Sequence, residues 1–353
     1  PLLIEAAQRH QKPIVYELDD LLFNLPDHHP DVAYFTRRRL ADLLALQTAD
    51  LITTTTPTLA AELTGLNAAA HLAVLPNCLP DDLWFETPSA TPAASANPTI
   101  GYLGSPAHLT DLEEIFPALY ALHEKFPELR VKVWGMQFVA QASALNLFDV
   151  QPGLFGHYAE FVEYFRQQQA DIFIAPLVDN IFNRSKSHIK FLEYSAMACP
   201  GVYADLPAYN ETVQHNENGL LASNIDDWQT HLQALLQDTN LRYRIGQQAQ
   251  KTAQQWALSR HAHRWQMVYQ SLLRSQPIKR PFTLAMLGNA LQWQGESYQE
   301  NTLQREQLAQ NQTLIEQQQQ QQALLQTQLD SITSSTGYRL VERFWAWRLK
   351  VLP

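Results

Sequence analysis

The stretch KSHIKFLEYSAMACPGVYADL, Lys186 to Leu206, decides the reading of this chain. It passes from a helical pattern into the short apolar segment GVYA, with Pro200 and Gly201 marking the break. A helix beginning near Ser187 puts Lys190 and Glu193 one turn apart and leaves Lys186 at the positively polarised N-terminal end. Free backbone N–H groups there, with Arg184, Lys186, Ser187 and Lys190, suit the oxygens of a diphosphate. The carboxylate of Glu193 suits a pair of sugar or ribose hydroxyls, from which it accepts hydrogen bonds. Taken alone, the same spacing also describes a solvated Lys–Glu pair on any helix.

Outward from this stretch, short apolar runs alternate with amphipathic helical ones. TIGYLG (99–104), RVKVWG (130–135), DIFIAPL (171–177), GVYA (201–204) and GLLA (219–222) read as strands buried on both faces. They predict a doubly wound α/β domain over 99–274. Before it, a helix to about His10, a strand at Ile14 to Glu17, a helix over 36–50, a strand over 51–56, a helix over 58–63 and a strand over 72–76 repeat the alternation. Residues 1–86 therefore read as part of a second Rossmann-like domain, opening in mid-pattern on Pro1 and expected to lack an N-terminal segment. ETPSATPAASANP, Glu86 to Pro98, has the composition of a linker, placed at 87–98.

After a further linker at 275–296, the segment 297–333 is rich in Gln, Leu and Glu without Gly or Pro. It reads as a helix or coiled coil capable of self-association, with Leu308, Ile315 and Leu329 in one heptad position and Gln322 interrupting them. A low-complexity linker is the other reading.

The formal net charge of −10 argues against non-specific binding of nucleic acid, so an anionic ligand needs a local basic site. Cys78 and Cys199 stand far apart with no partnering His cluster, which indicates neither a disulfide framework nor a zinc site. A reducing cytoplasm fits, and no apolar run approaches the roughly 20 residues of a membrane-spanning helix.

LEYSAMACPGVYAD resembles the EAMAxGxPVVAxD signature of group-one, GT-B-fold glycosyltransferases. ADIFIAPL is similar to the strand before that family's donor loop, and NETVQHNENGLLASNIDDWQTHLQALLQD to its xExIxxGxNGLL segment. The similarity runs from about Ile4 to Leu273. It implies two Rossmann-like domains, a nucleotide-diphosphate sugar as substrate, no metal or other cofactor, and a retaining transfer. It also implies that Glu193 holds the nucleotide ribose and that Lys190 faces the diphosphate or sugar. Where the family often carries a second Glu eight positions earlier, this chain has Ser185, and Asp179 is the residue expected to replace it.

Two further stretches follow. In IGYLGSPAHLTDL, Gly104 allows close backbone approach and Ser105 opens an expected helix. The resemblance puts Gly104, Ser105 and His108 beside the donor phosphates; a surface position is the alternative for His108. In VYELDDLLFNLP, Asp19 and Asp20 follow a parallel strand at the edge where such folds place ligands. Adjacent residues there cannot both point one way, which argues against a metal pair. One of them is expected to meet the acceptor or the moving sugar, or else to cap the next helix.

The expected function is transfer of a hexosyl unit to a glycan or lipid-linked acceptor, with Asp19, Asp20 and Glu193 in the catalytic group. A nucleotide-sugar epimerase and a catalytically idle scaffold are the alternatives. The tail 334–353, with Arg339, Arg343, Arg348 and Lys350 among Phe344, Trp345 and Trp347, reads as an interfacial helix on an anionic membrane face or as a docking helix.

Overall fold

The computed structural model describes residues 2–275 except 65–66, 68–69, 87–97, 137–146, 152–156 and 169. The expected Gln-rich helix at 297–333 and the amphipathic tail at 334–353 lie outside the described residues. Two parallel sheets carry the fold. The first has three strands in the order β1 (Val15–Leu18), β2 (Leu51–Thr54), β3 (His71–Val74). β2 is buried along its whole length, as a central parallel strand should be, while the edge strands β1 and β3 are exposed or half-buried except at Leu18. The helix between β1 and β2 spans Val32–Thr48 and so starts earlier than the sequence pattern suggested. The helix after β2, Pro57–Leu63, starts where Thr56 Oγ1 accepts from Leu59 N at 3.0 Å and Pro57 takes the first turn.

The second sheet holds β4 (Ile100–Leu103), β5 (Val131–Trp134), β6 (Phe148–Val150), β7 (Ile172–Ala175), β8 (Gly201–Ala204) and β9 (Leu220–Ala222) in the order β6-β5-β4-β7-β8-β9. Counted within the domain this is the doubly wound order 3-2-1-4-5-6, whose direction reverses between β4 and β7. β7 and β8 are buried at every position, which their unbroken apolar sequences require. β6 was missed by sequence reasoning: FDV is three residues long and mostly exposed, too little for a period to register.

The boundary between the two halves is interlocked. Leu79 and Trp84 precede the linker yet are fully buried in the core of the second domain. Leu79 N donates to Trp256 O at 3.0 Å and its carbonyl accepts from Leu258 N at 2.8 Å. From there the helix Leu258–Arg274 leans back on the first sheet, where Arg264 Nη2 donates to Val74 O at 3.3 Å.

At the carboxyl ends of β4 and β5 the backbones nearly touch. Gly104 N donates to Trp134 O at 3.1 Å, and Gly135 sits at φ +88°, where an added Cβ would lie 2.7 Å from the Gly104 carbonyl oxygen. Gly135→Ala should therefore cost about 1–3 kcal/mol, read as a lower urea midpoint at unchanged slope. An unchanged midpoint would show that this turn relaxes freely.

Candidate functional site

The switch point between β4 and β7 is where an open α/β sheet offers a crevice. β4 ends at Gly104, where a Cβ would come within 2.6 Å of the Tyr102 hydroxyl, so a side chain here would displace the buried Tyr102 ring. Beyond it come one 3₁₀ turn, Pro106–His108, and the short helix Leu109–Glu113. The helix expected after Ser105 thus begins as a 3₁₀ turn and continues as a short α-helix, and Ser105 makes no side-chain cap.

His108 and Asp111, three apart on this turn, meet at 2.8 Å between Nδ1 and Oδ2. Asp111 is buried, and its Oδ1 accepts from Val178 N and Asn183 Nδ2, both at 2.8 Å, stitching the β4 turn to the loop after β7. Desolvation opposes its charge, but the hydrogen bonds from His108 and the Val178 N–H hold its carboxyl below the usual range. The Lys190 charge and burial push His108 down to about 4, so at neutral pH the ring is uncharged and donates Nδ1–H to Asp111. His108 is accordingly no surface residue.

The helix Ile189–Ala196 starts two residues later than the spacing suggested, with His188 at its N-cap edge-on to Trp256. The preceding residues are held by the first domain instead. Thr56 Oγ1 donates to Ser185 O at 2.8 Å, Lys186 Nζ lies 3.2 Å from Asp20 Oδ1, and Asn77 Nδ2 donates to Ser187 Oγ at 2.8 Å. Lys186 is also 4.2 Å from the Phe182 ring centroid.

Lys190 and Glu193 lie one turn apart on this helix. The ammonium of Lys190 is buried, has no hydrogen-bond partner among the described residues, and lies 5.0 Å from the Tyr102 ring centroid. Burial lowers its pKa to about 8, against the pull of Asp111 and Glu193. Glu193 is buried and accepts from Tyr158 Oη at 3.2 Å; burial raises it to about 7, against Tyr158 and Lys190. A buried ammonium without a hydrogen-bond partner among the described residues thus stands one turn from a buried carboxyl.

Not every expected residue joins them. Asp179 and Arg184 form an exposed two-point pair with each other, at 2.5 and 2.7 Å. Asp179 also lines a cavity of 420 Å³ at the carboxyl ends of β7, β8 and β9, with Glu114, Asp205, Ser223 and Asn224. Ser185 is fully buried, its hydroxyl donating to Ile181 O at 2.8 Å. Asp19 is exposed, its carbonyl taken by Thr55 Oγ1, while Asp20 turns to Lys186. Sequence reasoning missed Asp111, Asn77, Thr56 and Tyr158. The i,i+3 spacing of His108 and Asp111 was a readable signal; the other three come from distant segments and carried none.

A folded-state pKa raised from 4.5 to about 7 means that Glu193 favours folding below pH 4.5 and loses that contribution as pH rises through 7. At pH 8 Glu193→Gln, which keeps an acceptor for Tyr158, should raise stability by up to about 3 kcal/mol, and by little at pH 4. Chemical denaturation at both values checks this; a loss at pH 8 would contradict it.

Residues 97–238 match the family described as glycosyl transferases group 1. No curated protein matches the chain. Among solved structures, sucrose-phosphate synthase from Thermosynechococcus elongatus aligns with TM-score 0.54 at 17% identity over 74% of this chain and 68% of that one. Anabaena Alr3699/HepE in complex with UDP and glucose aligns with TM-score 0.56 at 16% identity over 78% and 75%. A glycosyltransferase from Rickettsia africae ESF-5 does so with TM-score 0.52 at 13% identity over 78% and 80%. At these identities the likeness establishes the fold, two facing Rossmann-like domains. The family match thus runs across the second sheet, and the architecture around it is that of the GT-B glycosyltransferases to which the chain is similar.

Proposed function

We propose that the protein moves a hexosyl unit from a nucleotide-diphosphate sugar to a glycan or lipid-linked acceptor, with retention at the anomeric carbon. The observation that carries this reading is the buried ammonium of Lys190, without a hydrogen-bond partner among the described residues, at the β4–β7 switch point. A buried ammonium without a hydrogen-bond partner is costly, and a diphosphate would supply one. Glu193, one turn on, takes the ribose hydroxyls, and the tight turn at Gly104 and Ser105 lets backbone approach the phosphates. The complexes of HepE with UDP and with UDP-glucose support a donor of this class.

In the transfer, the bond from the anomeric carbon to the diphosphate oxygen breaks and a bond to the acceptor oxygen forms. The acceptor proton passes to the departing phosphate, whose growing charge Lys190 stabilises without a protein nucleophile. We assign the acceptor to Asp20, which follows β1 of the first sheet and pairs with Lys186; that pairing across the two domains supports the assignment. A catalytically idle scaffold is the second reading, favoured by Ser185, whose buried hydroxyl is spent on its own backbone.

Calorimetric titration with UDP and UDP-glucose tests the reading. Lys190→Met should weaken UDP binding more than tenfold, the loss of a charge-assisted hydrogen bond worth about 1.5–3 kcal/mol. For the wild type, binding should be strongest between about pH 7 and pH 8, weaken below as Glu193 takes up a proton, and fall about tenfold by pH 9 as Lys190 deprotonates. Absence of binding at pH 7 would sink the donor assignment; binding without transfer to any acceptor would favour the scaffold.

A further inference from the structure

Tyr158 opens the helix Tyr158–Gln167, and its hydroxyl lies between Trp84 and Glu193. Trp84 Nε1 and Tyr158 Oη are 3.1 Å apart, and Tyr158 Oη and Glu193 Oε1 are 3.2 Å apart. Chemistry fixes the direction of both bonds. An indole N–H only donates, so it occupies a lone pair of the phenol oxygen, and the phenol's single proton is left for the carboxyl. The two ends are rigid: Trp84 is 1% exposed within the second domain's core, and Glu193 is 6% exposed. Tyr158 itself leaves 44% of its surface exposed, so apolar burial does not explain why its hydroxyl turns inward.

We propose that Tyr158 is a positioning residue for Glu193: held in one orientation by Trp84, it donates to Oε1 and presents Oε2 to the paired hydroxyls of the nucleotide ribose. This rests on the reading of Glu193 as the ribose ligand. Because Oε1 is committed to accepting, a proton taken up by Glu193 resides on Oε2, the oxygen facing the ligand. Protonation then converts that oxygen from acceptor to donor and opposes binding of hydroxyl donors. The other groups facing Glu193 are Lys190 on its own helix, which favours the carboxylate, and the phenols of Tyr194 and Tyr209, which stay neutral. Tyr158 thus widens toward low pH the range in which the ribose ligand is ionised.

The test titrates the Glu193 side-chain carboxyl by carbon-13 NMR in the free protein, with Glu193→Gln to assign the signal, and in parallel measures UDP affinity against pH. The wild-type midpoint is expected near 7. In Tyr158→Phe, which keeps the partly exposed ring, the midpoint should move upward and UDP affinity at pH 7 should fall several-fold, recovering toward pH 8. Trp84→Phe, which removes the orienting donor together with part of a buried ring, should shift both in the same direction by less. An unshifted midpoint in Tyr158→Phe overturns the proposal, as does a uniform loss of UDP affinity at every pH. A shifted midpoint in a protein that binds no UDP at any pH supports the hold of Tyr158 on Glu193 and overturns the ribose reading instead.

Discussion

Three strands of the first sheet each send one side chain from the loop beyond their carboxyl ends to three consecutive residues of the second domain. Asp20 follows β1 and meets Lys186, Thr56 follows β2 and meets Ser185, and Asn77 follows β3 and meets Ser187. Only a parallel sheet brings three such loops to one edge, so the topology of the first domain is what makes the contact available. The segment gripped in this way leads directly into the helix that carries Lys190 and Glu193. Neutral hydrogen bonds contribute about 0.5–1.5 kcal/mol each and a partly exposed ion pair less than about 1. The grip therefore totals a few kcal/mol, firm enough to set the position of the helix and weak enough to yield to a ligand that competes for Lys186.

Behind the grip, electrostatics of the two buried groups runs against stability. Burial lowers Lys190 and raises Glu193, so each is held partly away from the charge state it prefers in water. His108 stays neutral beside Lys190, which spares the site a further positive charge beside Lys186. Asp111 fixes that arrangement by holding His108 and joining the β4 turn to the segment after β7 through two hydrogen bonds. Groups that cost stability when empty-handed are expected where a ligand supplies the missing partner.

The fold was legible because strands such as IFIA and GVYA are apolar at every position and bounded by helical periods. The three-residue β6 carried no period and went unseen. At the site, Lys190 and Glu193 were legible because their spacing of three lies on one helix and survives any packing. Arg184 and Asp179 were placed at the same ligand from proximity in sequence, yet five residues apart across a short helical turn they satisfy one another. Ser187 was expected to begin the helix, but its hydroxyl is taken by Asn77, 110 positions away. Contacts of that kind depend on how two domains face each other, and local pattern holds no record of it.

The central claim is that the grip, Lys190 and Glu193 all surround one nucleotide at the β4–β7 switch point. Amide hydrogen exchange at pH 7, with and without saturating UDP, tests it most directly. The account predicts slowed exchange in two separated segments at once, Leu103 to Leu109 and Ser185 to Glu193, with the ends of β8 and β9 unchanged. Protection confined to the cavity at Asp205 and Ser223, or no protection in either predicted segment, would contradict it.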